Sequence, residues 1–311
     1  MKKSFVNMAF SKGVESKEVE FKLYTGVGTV QVVAVNPTKD KLEAIYGRTF
    51  DNDPAYVSEV TVGEDKHKVL NTRIDFIIKT VADKCDGIDY VTKMSFFIQK
   101  EYRYNRDKTK VQVIDKYGRT AWVTVEQAKN HEIPMYSNGP ANIDKDYRPC
   151  YVGEEDLTEF IKTYLRIPNV MKYVREENKW VMVEHPEECE ARLDNIEKYF
   201  KGDFSEVKQA IALQPVNKVK VLFGVRTTDD NKQYQTVLTQ MVLRSSVNDY
   251  SKLDAFIQER KNNGAYNNIE FSNGNTIEDI KEYKVEATDF SNTNTNNSVA
   301  EGAGVPWDFS D

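Results

Sequence analysis

The sequence contains no apolar run near the roughly 20 residues that a membrane-spanning helix needs. Its opening stretch, Met1 to Gly13, holds no apolar segment long enough for a signal peptide. Both features set the expectation of a cytoplasmic protein without a membrane partner. Cysteine is scarce: Cys85, Cys150 and Cys189 make an odd number with no Cys-x-x-Cys pair, which argues for free thiols in a reducing compartment. Histidine is equally scarce, with His67, His131 and His185. The Gly-x-x-x-x-Gly-Lys loop that cradles a triphosphate, the Gly-x-Ser-x-Gly elbow and the His-Glu-x-x-His zinc helix are all missing. Gly26-Val-Gly28 is too short for a dinucleotide loop. His185 and Cys189, with Cys150, give only a weak outline of a zinc site, because structural zinc sites usually show two close ligand pairs. Glu154, Glu155 and Asp156 suit the first turn of a helix and need no metal to explain them. Catalysis is not indicated, and no cofactor is expected.

What the sequence does have is charge, unevenly placed. Hydrophobic residues are 40% and charged residues 30% of the chain, enough for a packed core under a soluble surface. The formal net charge is −6, and five acids without a Lys or Arg lie between Glu286 and Asp311, so the remainder is nearly neutral. Within that stretch Ser291-Asn-Thr-Asn-Thr-Asn-Asn-Ser298 has nothing to bury and reads as disordered. The stretch ends in Val305-Pro-Trp-Asp-Phe-Ser-Asp311, and a solvated tail does not need two aromatics at its tip. Trp307, Asp308 and Phe309 therefore read as a short docking peptide on a flexible arm.

Hydrophobic periodicity divides the rest. Glu18–Tyr24 alternates with period two, and Thr29–Val35 continues as a second strand or the far side of a bend at Gly26 and Gly28. Pro37-Thr38 opens a short helix that Gly47 stops. Val69–Thr80, Val91–Tyr102, and Lys108–Ile114 with Arg119–Thr124 read as further strands. Leu157, Phe160, Ile161, Tyr164 and Leu165 then fall on one helical face, and Pro186–Phe200 and Phe204–Leu213 read as two more helices. Lys218–Arg226 and Tyr234–Leu243 return to strand, Asp249–Asn262 to helix, and Tyr283–Glu286 to a closing strand. This order predicts an α+β protein. The order also suits other mixed antiparallel α+β folds, but its core domain, 1–286, is expected to be an antiparallel Greek-key barrel of the oligonucleotide-binding (OB) kind, with a helical insertion at about 150–215 and a tail over 287–311.

The window Lys93–Trp122 carries the functional signal. Eight bases face three acids there, in a chain that is negative overall. Single-stranded nucleic acid offers a line of phosphates and exposed base faces, and proteins that hold it without reading sequence pair cations with aromatic platforms. Lys100, Arg103, Arg106, Lys108, Lys110, Lys116 and Arg119 are the candidate phosphate contacts, and Tyr102, Tyr104 and Tyr117 the candidate platforms. Strand alternation turns Arg103 away from Tyr102 and Tyr104. Phe96, Phe97 and Trp122 read as core. A weaker basic-aromatic cluster runs through Lys162, Tyr164, Arg166, Lys172, Tyr173 and Arg175, with Tyr164 read as core and Arg148 as much a loop tether as a phosphate contact.

Several stretches resemble a known family. They are Ala34-Val-Asn-Pro-Thr-Lys39 with Tyr46-Gly47, Lys108–Trp122, Asn138-Gly-Pro-Ala-Asn142 and Tyr147-Arg-Pro-Cys-Tyr151. Together with the helix after Gly153 they cover about half of the chain, and in them it resembles the single-stranded DNA-binding proteins of large bacteriophages, particularly crAss-like phages of gut Bacteroidetes. The resemblance implies a protein of phage DNA replication or recombination in the cytoplasm of the infected host, and it assigns no residue roles. The ending is similar in kind to the acidic tails of bacterial single-stranded DNA-binding proteins, which finish in Pro-Phe. Here Ser310 and Asp311 follow Phe309, so a pocket that needs a terminal Phe carboxylate would not accept it unchanged. The expected partners are single-stranded DNA and, through the tail, replication or recombination proteins. Two alternatives from other classes stay open: a virion-associated or packaged structural protein, for which abundant Asn, Tyr and charged hairpins are also unremarkable, and a metal-dependent nucleic-acid enzyme.

Overall fold

The computed structural model describes residues 22–132, 143–272 and 277–284. Its first half is built from β1 (Leu23–Val35), α1 (Lys39–Tyr46), β2 (Val57–Val62), β3 (His67–Thr80), β4 (Val91–Tyr102), β5 (Lys110–Asp115), β6 (Thr120–Thr124) and α2 (Val125–Asn130). There follow β7 (Tyr147–Pro149), β8 (Tyr151–Val152), α3 (Glu154–Leu165), β9 (Met171–Val174), β10 (Lys179–Met182), α4 (Ile196–Tyr199) and α5 (Ser205–Ala212). The last part comprises β11 (Lys218–Thr227), β12 (Gln233–Val237), β13 (Leu243–Arg244), α6 (Ser251–Asn262), β14 (Ile269–Glu270) and β15 (Lys281–Tyr283). The class is α+β, dominated by antiparallel pairing.

The main sheet runs β12-β11-β1-β3-β4-β8, with β2 on β3, β15 on β1, and β13 and β14 on β11. Alternation decides its two faces. Ile74, Phe76 and Ile78 of β3, Met94, Phe96 and Ile98 of β4, and Val219, Val221 and Phe223 of β11 point into the principal core. The amphipathic faces of α3 and α5 close that core with Leu157, Phe160, Ile161, Tyr164, Val207 and Ile211. Phe76, Phe96 and Phe160 meet edge-on or tilted, with ring centroids 4.6–5.6 Å apart. Leu222, between Val221 and Phe223, faces the other way and joins Val27, Leu253 and Ile257 under α6. A smaller sheet, β6-β5-β7, packs its own cluster around Val111, Val113, Val123 and Tyr147.

The sheet curls until β12 approaches β4, but no hydrogen-bonded ladder joins them and the barrel does not close. The two expected strands around Gly26 and Gly28 are one continuous strand, with residues 18–21 outside the described residues. Glycine serves close approach there: a Cβ on Gly28 would stand 2.7 Å from the Phe223 ring. Pro186–Phe200 is not one helix but a single 3₁₀ turn, Pro186–Cys189, a loop and the short α4. The strand expected to run to Leu243 stops at Val237, and the closing strand is Lys281–Tyr283. The segment between β8 and β11 does hold α3, α4 and α5, and with them the β9–β10 hairpin that periodicity did not reveal.

Candidate nucleic-acid interface

The predicted site residues sit where β4 leaves the main sheet and enters the small one. The β4–β8 register shifts between Gln99 and Tyr102, which re-aims the end of the strand. Arg103 then lies between two strands, its N–H donating to Cys150 O and its carbonyl accepting from Gln112 N, at 2.9 and 2.8 Å. Tyr102 turns to one side, stacking at 4.9 Å on Tyr151, whose ring meets Phe200. Lys100 lies on that side too, paired with Glu197 at 3.1 Å and 5.7 Å from the Phe200 ring centroid. Arg103 turns to the other side, where its guanidinium donates to Glu155 at 2.9 Å and Gln112 at 3.2 Å and lies 5.9 Å from the Trp122 ring centroid. The opposite facing expected from alternation is present.

Beyond Arg103 the chain forms a basic turn. Asn105 holds it shut: its carboxamide oxygen accepts from Lys110 N at 2.8 Å, and its carbonyl accepts from Lys108 N at 3.0 Å. Lys108 takes the left-handed conformation, φ 56°, which lets the chain reverse within this short turn. Asp107 is occupied locally, accepting from the Thr109 N–H and hydroxyl; those bonds, the hydroxyl first, hold its carboxyl below the usual range. The cations at the turn are less engaged. Arg106, Lys108 and Lys110 are exposed and make no ion pair among the described residues. Tyr104, which bridges to Val111, is 40% exposed beside them.

Three predicted contacts have other work. Tyr117 is buried, packing with Val170 and Cys189, because the turn after β5 folds under the β9–β10 hairpin; it is core and not a platform. Arg119 is locked onto the fully buried carboxylate of Asp115, with Nη2 and Nε at 2.6 and 2.8 Å. Lys116 pairs with Glu190 at 3.3 Å. Arg148 is a tether: its guanidinium grips the buried Glu154 and the Leu193 carbonyl, fixing the loop before α3. Trp122 and Phe97, expected in the core, are 41% and 36% exposed because both lie on the outward-facing register of their strands. Trp307, Asp308 and Phe309 lie outside the described residues.

No protein-family model, curated protein or solved structure matches the chain. Among the described residues, no three His, Cys, Asp or Glu side chains gather to hold a metal ion. Cys189 belongs to the small cluster with Tyr117, and Cys150 is buried elsewhere, its thiol pushed well up by burial. No described helix is long and apolar enough to cross a membrane.

Sequence reasoning also missed the outer face of the β9–β10 hairpin. Trp180 pairs with Tyr173 and Met182 with Met171 across the ladder, so all four share one face. Tyr173, Trp180 and Met182 are each about half exposed, with the two rings 5.5 Å apart. The signal was present as alternation on both sides of Arg175-Glu-Glu-Asn178, with Asn178 at φ 50° closing the turn.

Proposed function

We propose that this protein is a non-enzymatic binder of single-stranded DNA with little sequence preference, acting in phage DNA replication or recombination in the infected cell. The observation that carries the reading is the turn Tyr104–Lys110. Three exposed cations without ion-pair partners among the described residues stand on a backbone fixed by its own hydrogen bonds, with the exposed ring of Tyr104 beside them and those of Tyr102 and Trp122 on opposite sides of the strand leading in. A rigid, net-positive surface beside π faces suits a flexible polyanion whose bases are unstacked. The curled antiparallel sheet is read as an open relative of the OB barrel, which is itself often incompletely closed. The acidic segment after Glu286 is assigned to docking of replication or recombination proteins through Trp307, Asp308 and Phe309.

The test is a fluorescence-anisotropy titration of the full chain with oligo-dT, duplex DNA and RNA over a range of salt. Oligo-dT is expected to bind most tightly. Arg106→Glu with Lys108→Glu should weaken it and flatten the salt dependence by about 0.7 in log-log slope for each phosphate that is no longer neutralised. An unchanged slope in the folded double variant would place the binding surface elsewhere.

A further inference from the structure

A second basic region lies away from the β4–β5 turn. On the main sheet a cavity of about 490 Å³ opens over β1 and β11, walled by the segment leading into α6. Its size falls in the range of pockets that hold small organic ligands, about 300–1,000 Å³. Lys84, Lys218 and Lys220 line it against a single carboxylate, Asp279.

Three ammonium groups against one carboxylate leave the cavity net positive, and the internal bonding does not change that balance. The Lys220 ammonium donates to Val247 O at 2.7 Å, Asn248 Oδ1 at 3.0 Å and Tyr250 OH at 2.9 Å, so three neutral acceptors fix it in place. Asp279 is occupied by the Tyr250 hydroxyl, which donates to it at 2.9 Å. Burial and that hydrogen bond push the Tyr250 phenol up to about 12, so the donor keeps its proton near neutral pH. Lys84 and Lys218 make no ion pair among the described residues, and their ammonium groups remain available to donate.

We infer that this cavity is a phosphate site that takes a nucleotide-sized ligand, with Lys84 and Lys218 as the movable contacts and Lys220 as the fixed charge. A phosphate monoester offers several strong acceptor oxygens and up to two negative charges, which suits two free ammonium groups beside a third that is already positioned. Two sources share this chemistry: a free mononucleotide, and the terminal phosphate of a strand. The inference does not depend on the β4–β5 turn, because β3 separates β1 from β4 in the sheet.

The test uses the full chain and isothermal titration with dTMP, pyrophosphate and thymidine. Saturable binding of dTMP and pyrophosphate, but not thymidine, is expected. Lys84→Gln with Lys218→Gln should reduce that affinity at least about tenfold, as the loss of charge-assisted hydrogen bonds implies. Arg106→Glu with Lys108→Glu should leave it unchanged, which separates this site from the proposed strand-binding surface. Oligo-dT with a 5′-phosphate is compared with its 5′-hydroxyl form. Tighter binding of the phosphorylated strand, abolished in the cavity variant, identifies a strand end as the source; equal binding identifies the free nucleotide. Absence of saturable binding by both phosphate probes, or full binding by the folded cavity variant, overturns the inference.

Discussion

Burial separates residues that look alike in sequence. Tyr104 and Tyr117 both stand among lysines and arginines, yet one is 40% exposed and the other 4%. Tyr117→Ala should cost about 3 kcal/mol of stability, as large aromatic truncations in cores do. Tyr104→Ala should leave the urea midpoint almost unmoved and instead weaken oligo-dT binding by about 1–3 kcal/mol. If Tyr104→Ala lowered stability with binding intact, its ring would be structural. Lys93 makes the same point through pH. It is one of the eight bases of the window, yet it is buried beside Asp75, 3.8 Å away, and burial lowers its pKa to about 8. Below pH 8 both folded and unfolded chains carry the proton, and the cost of burying the charge is present in full. Above that pH the unfolded chain keeps a proton that the folded chain releases, so stability rises toward the ordinary lysine value. Tyr90, raised to about 12 by burial, acts with the opposite sign only near and above its ordinary value of 10. Urea midpoints between pH 8 and 9.5 should therefore show an increment of about 1–2 kcal/mol in the parent that Lys93→Met lacks. Parallel curves for the two proteins would mean that Lys93 stays charged throughout.

Elements were legible where one side met the core and the other met water. Val91–Tyr102 matches β4 because Thr92, Met94, Phe96 and Ile98 bury on alternate positions, and the helix after Gly153 is visible because its apolar residues recur at helical spacing. The glycines in β1 misled for a physical reason: they admit Phe223 and the Glu278–Asp279 backbone, and do not break the strand. The β9–β10 hairpin escaped because its apolar face is turned to solvent, so its aromatics resembled scattered surface residues. An isolated hairpin is marginal by itself, and this one is anchored at its base, where Val170, Met171 and Val183 pack with Tyr117 and Cys189. Met171 is the one residue of the outer face that joins this anchor; Tyr173, Trp180 and Met182 are not in it. Trp180→Ala should leave thermal stability close to the parent, while lowering single-strand affinity if Trp180 holds a base. Unchanged affinity, accompanied by loss of self-association in sedimentation, would instead assign the hairpin to protein contacts and favour the structural-protein reading.

At the scale of the whole molecule, charge is segregated more strongly than the net value conveys. The body up to Val285 is close to neutral and carries the basic turn and the lysine cavity, while the segment from Glu286 holds five acids and no base. A polyanion tethered to a basic surface competes with a strand at high local concentration, even where each contact is weak. Deleting residues 287–311 should therefore raise oligo-dT affinity, most at low salt, where screening is least. The same deletion should end recruitment of a replication partner, since Trp307 and Phe309 provide the largest apolar side chains near the end of the segment. Trp307→Ala with Phe309→Ala keeps every carboxylate, and so should lose the partner while leaving strand affinity near the parent value. The two readouts, salt-dependent anisotropy for the strand and pull-down of host or phage replication proteins for the partner, separate competition from docking. Equal affinity of the deleted and full chains at every salt concentration would remove the competition and leave the acidic segment as a docking arm or an inert end.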